Sequence, residues 1–119
     1  MRAVVYAGEG RVEVDTVPDP GVEEPTDAVV RVRRAAVCGT DLHVVAHPTG
    51  LPEGFVLGHE FVGEVVDLGA AVRASRRGDL VVAADFTSCG HCWWCRRGDH
   101  WECVERRFFG TGSAFGPAL

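Results

Sequence analysis

Four cysteines, Cys89, Cys92, Cys95 and Cys103, fall within fifteen residues with the spacing C-x2-C-x2-C-x7-C. A structural zinc ion takes four thiolate or imidazole ligands at tetrahedral corners. Two residues between cysteines let a tight turn point both sulfurs inward, and the longer gap lets the chain return to close the cage. Gly90 and Gly98 permit those turns. Four thiolates around one divalent ion leave two negative charges, which Arg96, Arg97, Arg106 and Arg107 are expected to offset. The other readings are reduced thiols without metal, a disulfide pair, or an iron–sulfur cluster, which also uses four cysteines. The matched spacing favours structural zinc. With four sulfurs at hand, His91 and His100 are expected to face solvent, and Trp93 and Trp94 to pack over the lobe.

A second constellation lies upstream, Cys38-Gly39-Thr40-Asp41-Leu42-His43 followed about twenty residues later by Gly58-His59-Glu60. Taken singly, each member has an ordinary role. A lone cysteine after a strand is a small core residue, and Thr40 or Asp41 can cap a helix. His43 can be an exposed helix residue, His47 a loop residue and Glu60 a strand-edge charge. Taken together, a cysteine and a histidine at strand ends, each beside glycine and polar residues, are placed as metal ligands tend to be.

These residues need a scaffold, and the pattern supplies short strands. Val4 to Ala7 alternates ahead of a Gly8-Glu9-Gly10 turn, and Arg11 to Asp15 alternates polar with apolar. Ala28 to Arg33 predicts a strand with Val30 and Val32 on one face, prolonged through Ala36 and Val37 into Cys38. Gly39 to Ala46 predicts one or two helical turns, stopped by Pro48. Phe61 to Leu68 is a strand in which Gly63 allows a bend or a close approach. Leu80 to Ala84 reads as a buried-type strand, and beyond Cys89 regular periodicity ends. Many short strands between Gly and Pro turns suggest a mainly β, barrel-like domain.

Composition sets the class. The chain has 119 residues, enough for one domain, and 46% apolar residues, a globular share. A chain of this length buries roughly two thirds of its unfolded surface. The net charge of −5, with acids and bases interspersed, offers no basic stripe for nucleic acid. Apolar runs are far shorter than a bilayer span. The N-terminus is too short and too polar before Gly8 for a secretory segment. A cytoplasmic, reducing location is therefore expected, where clustered cysteines bind metal before they pair.

In order and spacing, C-G-T-D-L-H, then G-H-E, then C-x2-C-x2-C-x7-C resembles the zinc-dependent medium-chain alcohol dehydrogenase family. The likeness is to the N-terminal part of its catalytic domain, the GroES-like fold, and covers essentially all of residues 1–119, with a zinc lobe at about 86–110. Val17-Pro18-Asp19-Pro20 and Glu24-Pro25-Thr26-Asp27-Ala28 look closest to the formaldehyde dehydrogenase-like branch. The resemblance implies a partly open barrel with short helices and a catalytic zinc distinct from the structural one. Cys38 and His59 match two of its ligands, and Thr40 the hydroxyl that bonds the substrate oxygen. His43 matches the far end of a proton relay, Asp41 the carboxylate that orients His59, and Glu60 an acid beside the metal. Zinc held by Cys and His is a Lewis acid that acidifies an alcohol, and a hydroxyl with a titratable neighbour can carry the proton away.

Two family parts are absent from these residues. A third ligand for the catalytic zinc comes from further along in the family, and no cysteine follows Cys103. There is no G-x-G-x-x-G between a strand and a helix, so the Rossmann domain for NAD(P) is missing. Gly110-Thr111-Gly112 with Gly116 has the wrong spacing and reads as a loop. Gly39 stands where some members carry a basic residue near the cofactor. The chain is thus expected to be a truncated front portion of a dehydrogenase, inactive alone, with NAD(P) used only by a full-length enzyme. A stand-alone zinc-binding structural or interaction module is the alternative, and a split enzyme a third reading. An exposed sheet edge is expected to allow self-association.

Overall fold

A computed structural model describes residues 1–47 and 50–111 of the chain. Pro48, expected to stop the first helix, and Gly112 and Gly116 of the C-terminal loop lie outside the described residues.

The chain begins as an antiparallel hairpin. Strands β1 (Arg2–Tyr6) and β2 (Val12–Thr16) pair from Arg2 with Thr16 to Tyr6 with Val12. Its turn takes three consecutive left-handed residues, Gly8, Glu9 and Gly10, with φ of 80°, 50° and 73°. Two glycines carry most of this strain at no steric cost. The other edge of β1 is covered by residues 54–57, through bonds such as Leu57 N to Val4 O at 2.9 Å and Tyr6 N to Phe55 O at 2.9 Å. That pairing buries Val5 and Tyr6 and fixes the approach to His59.

The second sheet is antiparallel, in the order β3 (Ala28–Ala35), β4 (Phe61–Leu68), β5 (Leu80–Val82). The β3–β4 register shifts at Val29/Val30 and again at Val32/Arg34. Such bulges break simple alternation, and Val32 is accordingly exposed instead of sharing an inner face with Val30. Gly63 sits where the strands come closest. A Cβ there would lie 2.5 Å from the Arg31 carbonyl oxygen.

Strand β5 corrects a second expectation. Leu80 is 72% and Val82 81% exposed, so this is an apolar edge strand and not a buried one. Three strands leave β5 paired on one side only among the described residues. The surface is 8080 Å², where a compact monomer of this mass exposes about 6,300 Å². The buried apolar centre is small, comprising Val5, Tyr6, Val44, Val65 and Phe108 with Cys95 and Cys103.

Helix α1 (Gly39–Ala46) follows β3 and tucks Val44 inward. The C-terminal third is less irregular than its sequence suggests. A two-residue ribbon, β6 (Phe86–Thr87) with β7 (Arg107–Phe108), closes a lobe that contains helix α2 (Trp93–Arg96) and a 3-10 turn at His100–Glu102.

Candidate metal centres

In the lobe, the sulfurs of Cys89, Cys92, Cys95 and Cys103 all lie within 4.8 Å of one another. Local backbone brings them there. Gly90 and Gly98 take φ of 73° and 88°, which turn the chain sharply after Cys89 and after α2. Cys92 is the N-cap of α2, its sulfur 3.5 Å from the Cys95 N–H. The Cys92 N–H points in turn at Cys89 Sγ at 3.4 Å, and the Cys89 N–H at Cys103 Sγ at 3.3 Å. Backbone donors aimed at sulfur favour the thiolate. The Cys95 N–H foremost brings the Cys92 thiol down to about 6, and the Cys89 N–H lowers Cys103. Burial instead pushes Cys95 up to about 12.

That split describes a cage prepared for negative charge but short of a cation. Four convergent sulfurs, none in a disulfide, with three N–H groups directed at them and one thiol held neutral by burial, suit a divalent ion of thiophilic character. Three of the four arginines expected to offset the charge make other contacts. Arg97 stacks over Trp93 at 4.5 Å, Arg106 over Trp101 at 4.5 Å, and Arg96 Nε donates to the His91 carbonyl at 2.8 Å. Cation–π contacts and the backbone carbonyl occupy these groups. Trp93 and Trp94 do not pack over the cage as expected. They meet edge to face at 4.5 Å on the outside, with Trp93 59% exposed. Packing falls to Trp101, edge-on to Phe86 at 5.4 Å and Phe108 at 5.5 Å. Its position between two metal-ligand candidates gave the sequence reading no periodic signal to single it out.

The second centre is built at the junction of β3, α1 and β4. Cys38 is the N-cap of α1, and this overturns the expectation that Thr40 or Asp41 caps the helix. Sulfur accepts the Thr40 N–H at 3.2 Å, while the Cys38 N–H donates to Asp41 Oδ2 at 2.9 Å. This is a reciprocal capping box with a thiol in the usual hydroxyl position. His59 is 5% exposed. Its Nε2 lies 3.0 Å from Cys38 Sγ, and its Nδ1 lies 3.3 Å from Asp41 Oδ1. The latter pair face each other without full hydrogen-bond alignment, and both atoms are otherwise unpartnered among the described residues. Hydrogen bonding from Thr40, foremost its side chain, lowers the Cys38 thiol.

Glu60 completes a donor set. Ligand atoms of Cys38, His59 and Glu60 lie within 4.8 Å of one another. With Thr40 these three line one cleft of about 640 Å³, bounded also by Arg34, Phe61, Val82 and Asp85. Neither His43 nor His47 is among the cleft residues. His43 is exposed and stacks on His47 at 4.8 Å, and the His47 N–H closes the helix on the His43 carbonyl. The structure therefore brings Cys38, Thr40, Asp41, His59 and Glu60 together and leaves His43 apart. Gly39 has no atom within 4 Å of where a Cβ would stand, so a side chain fits there.

A four-cysteine cage and a Cys38–His59–Glu60 cluster on one mainly β domain narrow the field, and comparison decides it. The sequence pattern described as the alcohol dehydrogenase GroES-like domain matches residues 24–117. The chain belongs to the zinc-dependent medium-chain alcohol dehydrogenase family, in its GroES-like domain. Among relatives in this family, zinc-type alcohol dehydrogenase B of Aspergillus flavus is 42% identical over 110 residues, covering 92% of this chain and 26% of that protein. Glutathione-independent formaldehyde dehydrogenase of Pseudomonas aeruginosa is 39% identical over 121 residues, covering 97% of this chain and 30% of that protein. The solved alcohol dehydrogenase TADH from Thermus sp. ATN1 superposes with a TM-score of 0.92 at 40% identity, covering all of this chain and 34% of that one. The chain thus spans about a quarter to a third of the length of these dehydrogenases. Its fold is the mainly β GroES-like domain with short helices and a four-cysteine cluster. No helix among the described residues is long and apolar enough to cross a membrane.

Proposed function

We propose that this chain is the zinc-binding N-terminal part of the catalytic domain of an alcohol dehydrogenase that oxidises an alcohol to an aldehyde or ketone with NAD(P), and that it is inactive alone. The observation that carries the reading is the Cys38 Sγ to His59 Nε2 approach of 3.0 Å on the wall of the cleft, backed by Asp41. In this reading Cys89, Cys92, Cys95 and Cys103 hold a structural zinc, and Cys38 and His59 hold a catalytic zinc, with Glu60 beside it. Zinc bound there supplies Lewis acidity toward an alcohol oxygen. Asp41 holds His59 in the tautomer that leaves Nε2 free to ligate. Thr40, on the cleft, bonds the alcohol oxygen. His43 lies one helical turn beyond Thr40 and outside the cleft, so a proton would reach it from Thr40 only through the cofactor ribose of the full-length enzyme, and pass on to water. Five cysteines without a disulfide suit a cytoplasmic location.

Metal stoichiometry by native mass spectrometry tests it, on the wild type and on Cys38→Ser. One tightly held zinc in both, with a second, weaker ion only in the wild type, is the expected result. Loss of the tight ion in Cys38→Ser would reverse the two roles. Alcohol-dependent reduction of NAD by this chain alone would contradict the division of labour between domains.

A second reading, a stand-alone zinc-binding module, is favoured by one observation, the exposed apolar edge at Leu80 and Val82. As a module the chain would pair β5 with a second copy, and light scattering would show a discrete dimer that Val82→Lys abolishes. As part of a longer enzyme that edge is covered by further chain, and the isolated domain forms no discrete dimer.

A further inference from the structure

The four-sulfur cage is not equally closed on all sides. Cys95 and Cys103 are buried, whereas Cys89 and Cys92 are partly exposed. Among the described residues the Cys89–Cys92 face is therefore the more open approach to it. On that face stand two side chains that the dehydrogenase reading does not use, His91 and Glu105. Ligand atoms of Cys89, His91 and Glu105 lie within 4.8 Å of one another. His91 Nε2 is 3.7 Å from Glu105 Oε1.

Orientation of the ring is the second observation. His91 Nδ1 lies 2.9 Å from the Cys89 carbonyl oxygen, so Nδ1 carries the proton and donates. In the neutral ring the lone pair is then on Nε2, the atom that faces Glu105. A histidine whose far nitrogen is held by a backbone carbonyl is the usual arrangement of a metal-ligating imidazole. Its carbonyl partner belongs to Cys89, a cage residue, so the ring is tied to the cage backbone. One nitrogen, one carboxylate oxygen and one sulfur form a mixed set suited to zinc.

We propose that Cys89, His91 and Glu105 form an exposed transfer site through which a second zinc ion enters and exchanges with the one in the cage. This rests on the reading of the four cysteines as a structural zinc site. Cys89 Sγ belongs to both sets. It bonds the arriving ion while still bonded to the resident one, and the outgoing ion leaves as its sulfur bonds pass to the newcomer. One divalent ion arrives and one departs, so no electron is transferred and no net proton is released.

The test uses zinc-loaded protein and isotopically enriched zinc ion in solution, with incorporation followed by native mass spectrometry. Cys38→Ser serves as background, to remove the other centre. Exchange in the parent should accelerate with free zinc and then saturate. His91→Gln with Glu105→Gln should slow it about tenfold, the scale on which supporting ligands act, and should remove saturation while still holding one tight zinc. Equal exchange rates in parent and double variant would overturn the proposal, as would loss of the tight ion, which would make these residues part of the cage itself. A parent that binds no tight zinc would instead defeat the reading of the four cysteines.

Discussion

The sulfur of Cys38 accepts the N–H of Thr40 at 3.2 Å while lying 3.0 Å from His59 Nε2, so one atom both starts helix α1 and faces the imidazole just ahead of β4. Folding and chemistry meet at that atom, and substitutions can separate them. Serine is a good N-cap, so Cys38→Ser should fold nearly as the wild type while losing the weak metal site. Cys38→Ala should lose both, at a cost of about 1 kcal/mol in stability. Denaturant midpoints of the two variants check this. Equal midpoints would deny the sulfur a capping role.

The same contacts set a pH dependence. Hydrogen bonding from Thr40 lowers the Cys38 pKa, so its thiolate fraction rises at lower pH than that of an ordinary thiol and falls only as acid passes the depressed value. With the four-cysteine lobe loaded by one zinc equivalent, Cys38 should be the thiol that iodoacetamide modifies, with a rate midpoint below the usual cysteine range. Thr40→Val should move that midpoint upward. An unmoved midpoint would remove Thr40 as the cause.

All three tryptophans of the chain, Trp93, Trp94 and Trp101, lie between the neck strands β6 and β7. Removal of the structural metal by a strong chelator should unfold this lobe, because ion binding there contributes folding free energy directly. Tryptophan emission should shift to the red while the far-ultraviolet strand signal is largely kept. Alanine at any one of Cys89, Cys92, Cys95 or Cys103 should do the same. Unchanged emission after complete metal loss would show a lobe that folds without it.

Gly110 has φ of 54°, and a Cβ there would stand 2.1 Å from the Gly58 carbonyl oxygen. The close passage of the two backbones places Gly58, and with it His59. Gly110→Ala should cost about 1–3 kcal/mol, the range for overpacking, and should weaken metal binding at Cys38 and His59 more than at the cage. Thermal melts and metal titration check both. Wild-type stability would mean that the two backbone segments can part without strain.

The pattern of residues made some of this legible and not the rest. Strand β4 was readable to the residue, because its valines and leucine recur from Phe61 to Leu68 with only Glu64 and Asp67 charged. So was the convergence of the four cysteines, since they are local in sequence and their spacing is itself the geometry. Strand β3 was readable in its start but not in its end, which falls at Ala35 and not at Cys38, nor in its facing, because two register shifts rotate side chains that period-two alternation puts on one side. Strand β5 looked buried because apolar runs carry no mark of how many neighbours a strand will have. Cys38 was found as a candidate ligand, yet its capping role was missed. Oxygen-bearing side chains dominate helix starts, and a thiol there draws no notice.

The neck of the lobe has a further consequence. Strands β6 and β7 meet in two residue pairs, Phe86 with Phe108 and Thr87 with Arg107. So short a ribbon can part without disturbing β3 to β5, and partial opening of this kind lies far below global unfolding in free energy. Proteolytic nicking of chains that lack the ion should therefore begin between these strands, leaving the amino-terminal sheets as a resistant remnant.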